Sequence, residues 1–382
     1  MFAKIGEAVH LNRRVFLARR GLADNNVMGV KAVLNEMDKY LYYFMRTVNL
    51  SDASRSTTVP SIRKGDIEEI NIPFPPLAEQ KQIAAILDEL LAQVDTIKAR
   101  LDAIPKIIKR FRQSVLAAAV SGRLTGYAGE YQSIEVTEPW AHTVEAPRHW
   151  RLYEFAQAVN IIGGSQPPKS EFKSEEGPDL IRLIQIRDYK SDDYKVFIPR
   201  HLARRFCSKD DIMIGRYGPP IFQILRGLEG AYNVALMKAE PKDESIDREY
   251  LFWFLKNHKL FHYIDAGSDR TAGQSGVNKS FLEKYPFFVP SLDEQTEIVR
   301  RVEQLFAFAD QIEQRVKDAT ARVNHLTQSI LAKAFRGELT ADWRAQNPDL
   351  ISGEHSAGAL LARIRAEREQ QQPARRGRRT KS

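Results

Sequence analysis

The chain contains one long segment twice, displaced by 215 residues and aligned without a gap. Residues 75–125, which begin PPLAEQ and end GRLT, match residues 290–340, which begin PSLDEQ and end GELT. In both copies apolar residues recur at alternating intervals of four and three, which predicts coiled-coil helices. About 40 helical residues span roughly 60 Å, so a single apolar seam of that length requires a partner of similar length. The other copy has the matching seam, and we expect the two helices to pack together.

Both long segments have residues at their ends that typically start or stop a helix. Prolines precede each helix, and acidic residues follow in its first turn, where the helix dipole stabilises negative charge. Gly122 and Gly337 come where each helix is expected to stop. Pro105 interrupts the first copy and predicts a kink near the middle of that helix.

Length and composition exclude several classes of protein. With 382 residues the chain is long enough for two or three domains. Cys207 is its one cysteine, which excludes a disulfide framework and argues against a zinc cluster. No apolar run is long enough to span a membrane, and the first residues lack the apolar core of a signal peptide. These features predict a cytoplasmic protein.

The positive charge is concentrated at the carboxyl end. Residues 352–382 hold eight Lys and Arg against three Glu, so they supply +5 of the formal charge of +8. The last ten residues, PARRGRRTKS, are typical of a solvated, disordered arm. Once this arm is set apart, the net charge alone is weak evidence for a nucleic-acid partner.

The region between the helices has a different residue pattern. From about residue 150 to residue 289, short apolar runs alternate with Gly, Pro and Asp clusters, which predicts strands and turns. One helix is predicted over residues 248–264. Residues 1–74 resemble the second half of this region: YLYYFM at 40–45 parallels YLFWFL at 250–255, for example. The fold class predicted is α+β, with mixed strand-and-helix domains joined by two long helices in an antiparallel coiled coil.

The predicted domain organisation follows from the repeat and from the change in residue pattern between its two copies. It comprises a partial first domain (1–74), a central long helix (75–125), a linker (126–149), a complete second domain (150–289), a distal long helix (290–340) and a carboxyl-terminal extension with a basic, disordered tail (341–382).

These features resemble the specificity subunits of type I restriction–modification systems. The resemblance rests on the paired helix starts PPLAEQ and PSLDEQ, the helix exits GRLT and GELT, and the pattern IMIGRYG…YNVALM, and it covers nearly the whole chain except the basic tail. It implies two target-recognition domains that each read half of a split DNA sequence, with the helices setting the gap. It also implies partner modification subunits that methylate adenine with S-adenosylmethionine, and restriction subunits that use ATP and Mg²⁺. For the specificity subunit itself the resemblance implies no catalytic role and no cofactor.

The chain departs from the family pattern at its amino terminus. Nothing in the first copy corresponds to residues 150–210 of the second. The expectation is that the first target-recognition domain lacks its first half. Three explanations stay open: the start lies too late, the gene is degraded, or the remaining half pairs with something else.

Candidate DNA-binding residues lie on glycine-containing loops of the second domain. Arginine suits guanine, glutamine and asparagine suit adenine, and basic or polar side chains hold phosphates. The candidates are Arg187, Lys190, Arg216, Tyr217, Arg270, Thr271, Gln274, Asn278 and Lys279. Weaker candidates in the partial first domain are Arg13, Arg14, Arg19, Arg20 and Arg55.

Two other functions remain open from the residues alone. Asp179, Asp188 and Lys190 follow or flank an apolar run in a spacing that permits a Mg²⁺-dependent nuclease. A coiled-coil scaffold with no role at DNA is the other alternative. No phosphate loop of the GxxxxGK[ST] type occurs, which disfavours an ATPase, and the scattered histidines predict no metal site.

Overall fold

The computed structural model describes residues 1–19, 21–54, 59–271 and 274–371. The chain divides into two units, the first formed by Met1–Ile104 with Arg315–Ser382 and the second by Pro105–Gln314. Within the described ranges, no helix is both long enough and apolar enough to cross a membrane.

The elements alternate between short strands and helices, with two helices far longer than the rest. The strands are β1 (Phe2–Ala3), β2 (Val27–Met28), β3 (Tyr131–Val136), β4 (His142–Pro147), β5 (Arg151–Glu154), β6 (Val159–Gly163), β7 (Leu180–Ile184), β8 (Phe197–Pro199), β9 (Phe206–Cys207), β10 (Ile212–Gly215), β11 (Gln223–Leu225), β12 (Gly230–Tyr232), β13 (Leu236–Pro241), β14 (Asp269–Thr271), β15 (Gln274–Gly276) and β16 (Pro286–Val289). The helices are α1 (Asp38–Met45), α2 (Lys64–Glu68), α3 (Leu77–Val120), α4 (Phe155–Ala158), α5 (Arg248–Leu255), α6 (His258–Ala266), α7 (Lys279–Lys284), α8 (Leu292–Phe335), α9 (Ala341–Gln346) and α10 (Ala357–Gln371). The predicted α+β class is confirmed.

The second unit is built on two four-stranded sheets. One has the order β11-β10-β13-β6 and is antiparallel throughout; the other has the order β8-β7-β12-β9, with β7 and β12 parallel. Helix α5 is buried almost all round because six of its eight residues are apolar or aromatic and face the core. The predicted single helix over 248–264 is two helices, since the Asn257 side chain caps a new helix by accepting from the backbone N–H of Lys259.

The first unit contains a smaller counterpart of the antiparallel sheet β11-β10-β13-β6. Strands β1 and β2 pair antiparallel, as β10 and β13 do in the second unit. On the other side of β1, Met1 and Val15 each donate a backbone hydrogen bond to the other, at 2.9 Å. This segment stands where β11 stands in the second unit, so the resemblance between residues 1–45 and the second domain extends to sheet order.

The two long helices pack antiparallel. In the first unit the beginning of α3, at Ile83 and Leu87, packs on the end of α8, at Leu331. In the second unit the end of α3 packs on the beginning of α8, where Ala119 shares a core with Ile298. The predicted coiled coil is thus confirmed, and the buried seam positions lie mainly toward the helix ends.

Seam residues nearer the middle of the helices are less covered. Ile97 of α3 is 46% exposed and Leu326 of α8 is 47% exposed. Helix α3 continues through Pro105 from Leu77 to Val120. Both helices stop where the sequence predicts, at glycines with positive φ: 72° at Gly122 and 76° at Gly337.

One segment differs from the predicted division. The sequence predicts a linker at residues 126–149, but β3 and β4 form a hairpin there, and Val144 and Ala146 enter the core of the second unit. The pattern is weak in the sequence because one face of the hairpin is polar and exposed. In the extension that begins at residue 341, α9 and α10 are helical, and Leu360 of α10 packs on Leu34 and Met37. The arm 372–382 lies outside the described residues.

Candidate nucleic-acid interface

The loop after β10 and the hairpin β14–β15 are joined by backbone contacts in the second unit. Tyr217 forms an isolated antiparallel bridge with Gly276. The N–H of Val277 donates to the carbonyl of Arg216 at 2.9 Å, and the N–H of Arg216 donates to the carbonyl of Ala235. Two of the loops that the sequence selected as DNA-facing are therefore brought side by side, although they lie some sixty residues apart in the chain.

Arg216 and Tyr217 also interact through their side chains. The guanidinium carbon of Arg216 lies 5.2 Å from the centroid of the Tyr217 ring, within the range of a cation–π interaction. Both residues are half-buried. A ring and a planar cation held in contact form a rigid pair, which loses little conformational entropy when it meets a base or a phosphate.

A third selected segment, IRDYK, approaches the same loop from the neighbouring sheet. It forms a 3-10 turn over Ile186–Tyr189 directly after β7, and a Cβ added at Gly215 would lie 3.5 Å from the Ile186 side chain. Arg187 and Lys190 are exposed on this turn, and the Arg187 guanidinium lies 5.3 Å from the ring of Tyr194. The turn therefore adds two cations near the start of the Arg216 loop.

The other two candidates in this region are engaged locally. The Asn278 side chain caps α7 by accepting from the N–H of Ser280 at 3.1 Å, and Lys279 forms an ion pair with Glu283 at 3.0 Å. A capping amide is occupied by backbone, so Asn278 is the weaker of the two as a base reader. Arg270, Thr271 and Gln274 lie in the hairpin strands, but their side chains fall outside what the structure describes.

The first-unit candidates separate into three groups. Arg13 and Arg19 are exposed. Arg14 is half-buried and turned toward the protein, donating to the carbonyls of Asn12 and Val48. Arg20 and Arg55 lie outside the described residues.

The arrangement does not favour a metal-dependent nuclease. Asp188 is buried and accepts from the N–H of Gln185 at 3.0 Å, so it caps the 3-10 turn. Burial raises the pKa of Asp188 against the opposing effects of that hydrogen bond and of Arg182. Asp179 is exposed in the turn before β7. Within the described ranges, no three His, Cys, Asp or Glu side chains come together as metal ligands do.

Arg182 is a supporting residue that the sequence did not single out. It lies on β7, 3.8 Å from Asp188 and 2.9 Å from Asp192. These contacts hold the 3-10 turn that carries Arg187 and Lys190. In the sequence, Arg182 stands out only as a charged residue inside an apolar run. The fold shows which carboxylates it contacts.

Comparisons with known proteins agree with this architecture. Residues 14–106 and 147–320 match the family model of the type I restriction modification DNA specificity domain. The chain is 38% identical over 384 residues to the specificity subunit of the type I restriction enzyme EcoBI from Escherichia coli, covering 95% of this chain and 79% of that protein. It is 41% identical over 338 residues to the StySPI specificity subunit from Salmonella potsdam, covering 84% and 68% of the two chains.

A solved structure shares the fold. It comes from work on complex assembly and conformational transition of the type I R-M system, and its chain matches with a TM-score of 0.61 and 21% identity, over 79% of this chain and 71% of that one. The repeated helices, the strand-and-helix unit between them and the two family-model matches all point the same way. The chain belongs to the type I restriction–modification DNA specificity subunits, the non-catalytic subunits that give these systems their DNA sequence specificity.

Proposed function

We propose that the second unit reads one half of a bipartite DNA site through a surface formed by the Arg216 loop, the hairpin β14–β15 and the 3-10 turn Ile186–Tyr189. The observation that supports this assignment is the Tyr217–Gly276 bridge, which joins two of these segments. Base edges are read by side chains on such loops, and phosphates fix the orientation of the protein on the duplex.

The chemistry of each side chain suggests whether it contacts a base or a phosphate. Arg216 has the planar donor pair that matches the two acceptors of guanine, and Tyr217 offers a flat apolar face beside it. Arg187 and Lys190 are exposed cations suited to phosphates. In the hairpin, Gln274 has the amide that pairs with adenine, and Arg270 and Thr271 add a further cation and hydroxyl.

We further propose that the first unit addresses the other half-site and that the long helices hold the two at a set distance. Arg13 and Arg19 are its exposed candidates. The antiparallel pair α3 and α8 is also the surface on which modification subunits would dock. In this proposal S-adenosylmethionine binds the modification subunits, ATP and Mg²⁺ bind the restriction subunits, and the complex acts on DNA in the cytoplasm.

Arg216→Ala provides the test. With the partner modification subunit present, selective binding to the cognate duplex should weaken about tenfold or more, and the slope of log affinity against log salt should change by less than one unit. Arg151→Ala is the matched control, because Arg151 is exposed on β5, outside the three segments. Binding without sequence preference or salt dependence would contradict the proposal, as would an equal loss in both variants.

A further inference from the structure

Three strands of the sheet β8-β7-β12-β9 meet at one end of it. Strands β7 and β12 are parallel and both finish at this end, whereas β9 is antiparallel to β12 and begins there. The N–H of Tyr232, the last residue of β12, donates to the carbonyl of Arg205 at 3.1 Å. The N–H of Asn233 donates to the carbonyl of Ile184, which ends β7, at 3.1 Å. The residues that follow β7 and those that precede β9 therefore flank the end of β12.

The β7 flank belongs to the reading surface proposed above. The 3-10 turn Ile186–Tyr189 follows β7; Arg187 lies on it and Lys190 comes directly after it, and both are exposed. The N–H of Arg216 donates to the carbonyl of Ala235, just after β12, at 2.8 Å. This end of the sheet thus holds two cations on one flank and is tied to the Arg216 loop.

The β9 flank carries two further arginines. Arg204 and Arg205 precede β9 and are both exposed. In the described part of the chain, no carboxylate lies within ion-pair distance of either guanidinium. Burial raises the pKa of Tyr232 to about 12, and the positive charge of Arg205 opposes that rise, which places this charge near the end of β12. Residues 200–209 include four Lys and Arg and no acidic residue, so the flank has a net positive charge.

The segment that leaves β6 lies at the end of β12, between these flanks. The N–H of Ser165 donates to the carbonyl of Tyr232 at 3.2 Å. A Cβ at Gly164 would lie 1.9 Å from the carbonyl oxygen of Asn233, so only glycine permits this approach. Gln166 comes next and is exposed; its amide nitrogen donates to the carbonyl of the following residue at 3.3 Å. A glutamine amide is therefore held on a fixed backbone between two pairs of cations.

The separation of the flanks is close to the width of the DNA major groove. Strands β7 and β9 are both neighbours of β12, so their backbones lie two strand spacings, or about 10 Å, apart. The major groove of B-DNA is about 12 Å wide. The long side chains of arginine and lysine span the small difference, so cations on the two flanks match the phosphates on the two sides of one groove.

We propose that Arg204 and Arg205 bind phosphates on one side of a major groove while Arg187 and Lys190 bind phosphates on the other side, so that the two pairs contact opposite DNA strands. Gln166, between the pairs, faces the base edges, where its amide matches the donor and acceptor of adenine. The assignment rests on the DNA-reading role proposed for the second unit. It adds two phosphate-binding residues, one base-reading residue and the strand that each flank contacts.

The opposite end of the same sheet supplies a matched pair of cations. The N–H of Arg200 donates to the carbonyl of Asp179, just before β7, and the carbonyl of Lys209 accepts from the N–H of Gly227, before β12. Both cations are exposed, and Lys209 lies 3.8 Å from Glu229. Neither flanks the end of β12 that carries the reading surface, so we expect neither to contact the DNA.

The first experiment measures DNA affinity against salt concentration, with the partner modification subunit present. Arg204→Ala/Arg205→Ala should lower the slope of log affinity against log salt by about two units, because each phosphate contact contributes about 0.9. Cognate and scrambled duplexes should weaken alike, by about tenfold or more, since phosphates carry no sequence information. Arg200→Ala/Lys209→Ala removes the same charge and should change the slope by less than about half a unit.

Gln166→Ala should have the converse effect. The preference for the cognate over the scrambled duplex should fall about tenfold, because a base contact is lost. The salt slope should stay within about half a unit of that of the unmodified chain, because no phosphate contact is lost. Every replaced residue is exposed, so thermal unfolding followed by circular dichroism should show unchanged midpoints.

The second experiment identifies the strand that each flank contacts. Ethylation of a phosphate removes its negative charge, so it weakens binding where the protein contacts that phosphate. Arg204→Ala/Arg205→Ala should abolish this interference on one strand beside the half-site. Arg187→Ala/Lys190→Ala should abolish it on the other strand.

Four results would overturn the assignment. They are an unchanged salt slope in Arg204→Ala/Arg205→Ala, an equal change in Arg200→Ala/Lys209→Ala, loss of interference on the same strand from both flanks, and full sequence preference in Gln166→Ala.

The reading role of Arg216 is tested separately. If Arg216→Ala loses sequence preference while Arg204→Ala/Arg205→Ala behaves like its control, the groove assignment alone fails. If Arg216→Ala keeps full preference while the arginine pair loses about two units of slope, the DNA lies at this end of the sheet and the role proposed for Arg216 fails.

Discussion

The hydroxyl of Thr340 donates a 2.6 Å hydrogen bond to Oε1 of Glu79, and Arg344 donates to the same oxygen at 2.5 Å. One repeat away, the hydroxyl of Thr125 donates to Glu294 at 3.2 Å. The same 215-residue displacement relates the members of the two pairs. The glutamate at the start of each long helix is thus bound by the last threonine of the other copy of the repeat. The two copies therefore make the same contact with each other in both directions.

Replacing Thr340 with valine should destabilise the first unit. The Glu79 side chain is only 5% exposed, so a lost donor is not replaced freely by water. Because Arg344 still pairs with the carboxylate, the expected loss in the free energy of unfolding is about 1–2 kcal/mol. Urea unfolding followed by circular dichroism measures it.

Two threonine variants calibrate this measurement. Thr125→Val should cost less, about 0.5–1 kcal/mol, because Glu294 keeps its bonds from His149 and Trp150. Thr96→Val should change little, since among the described residues the exposed Thr96 hydroxyl bonds to one carbonyl, within its own helix. Equal losses in all three variants would show that the hydroxyl bond to the carboxylate contributes nothing specific.

The next residue of the repeat has different surroundings in its two copies. Gln295 is fully buried; its amide nitrogen donates to the carbonyls of Ser245 and Pro290, and its oxygen accepts from the N–H of Asp247 at 2.7 Å. Gln80 is equally buried but donates only to the carbonyl of Pro75, and its oxygen has no partner among the described residues.

This difference predicts unequal costs for the same substitution. Gln295→Met should lower the free energy of unfolding by about 2–4 kcal/mol, because it strands three backbone groups. Gln80→Met strands one, and should cost about 1 kcal/mol or less. Thermal unfolding of the two variants gives the comparison, and a larger loss for Gln80→Met would contradict it.

How far the sequence predicts the structure depends on the range of the interactions. The long helices, their ends at Gly122 and Gly337 and their pairing follow from local periodicity and from the repeat. The different hydrogen bonding of Gln80 and Gln295 does not, because Gln295 meets backbone groups of a distant segment, at Ser245 and Asp247. Nor does the inward direction of Arg14, which is set by carbonyls that the fold brings to it.

The same reason limits prediction of the candidate DNA surface. The glycine-flanked loop and the family resemblance together predict Arg216 and Tyr217 as DNA-facing. The loop meets the hairpin through a backbone bridge at Gly276. This bridge joins distant segments, so no local sequence pattern predicts it. Asn278 shows the converse, since a cap position and a base-reading position look alike in sequence.

Substituting Gly276 with valine should disturb this meeting point. A Cβ at Gly276 would lie 3.0 Å from a ring carbon of Tyr217, so the ring or the hairpin must shift. We expect affinity for the cognate duplex to fall about tenfold while the urea midpoint changes little. Gly163→Val is the control, because Gly163 lies in β6 with open space at its Cβ position. Unchanged DNA affinity in Gly276→Val would argue against a reading role for the Tyr217 pair.

The stability of the second unit should fall in alkali through Cys207. The Cys207 thiol is buried on β9, and burial, with a smaller contribution from Asp211, raises its pKa to about 11. An unfolded thiol ionises near pH ~8.5, so the stability that depends on the neutral thiol is complete below that pH and is lost as the pH rises towards about 11. The loss should amount to at most about 3 kcal/mol. Urea unfolding at several pH values between these limits, compared with Cys207→Ala, isolates this contribution from other alkaline titrations. Parallel pH profiles for the two proteins would show that folding does not raise the pKa of the Cys207 thiol.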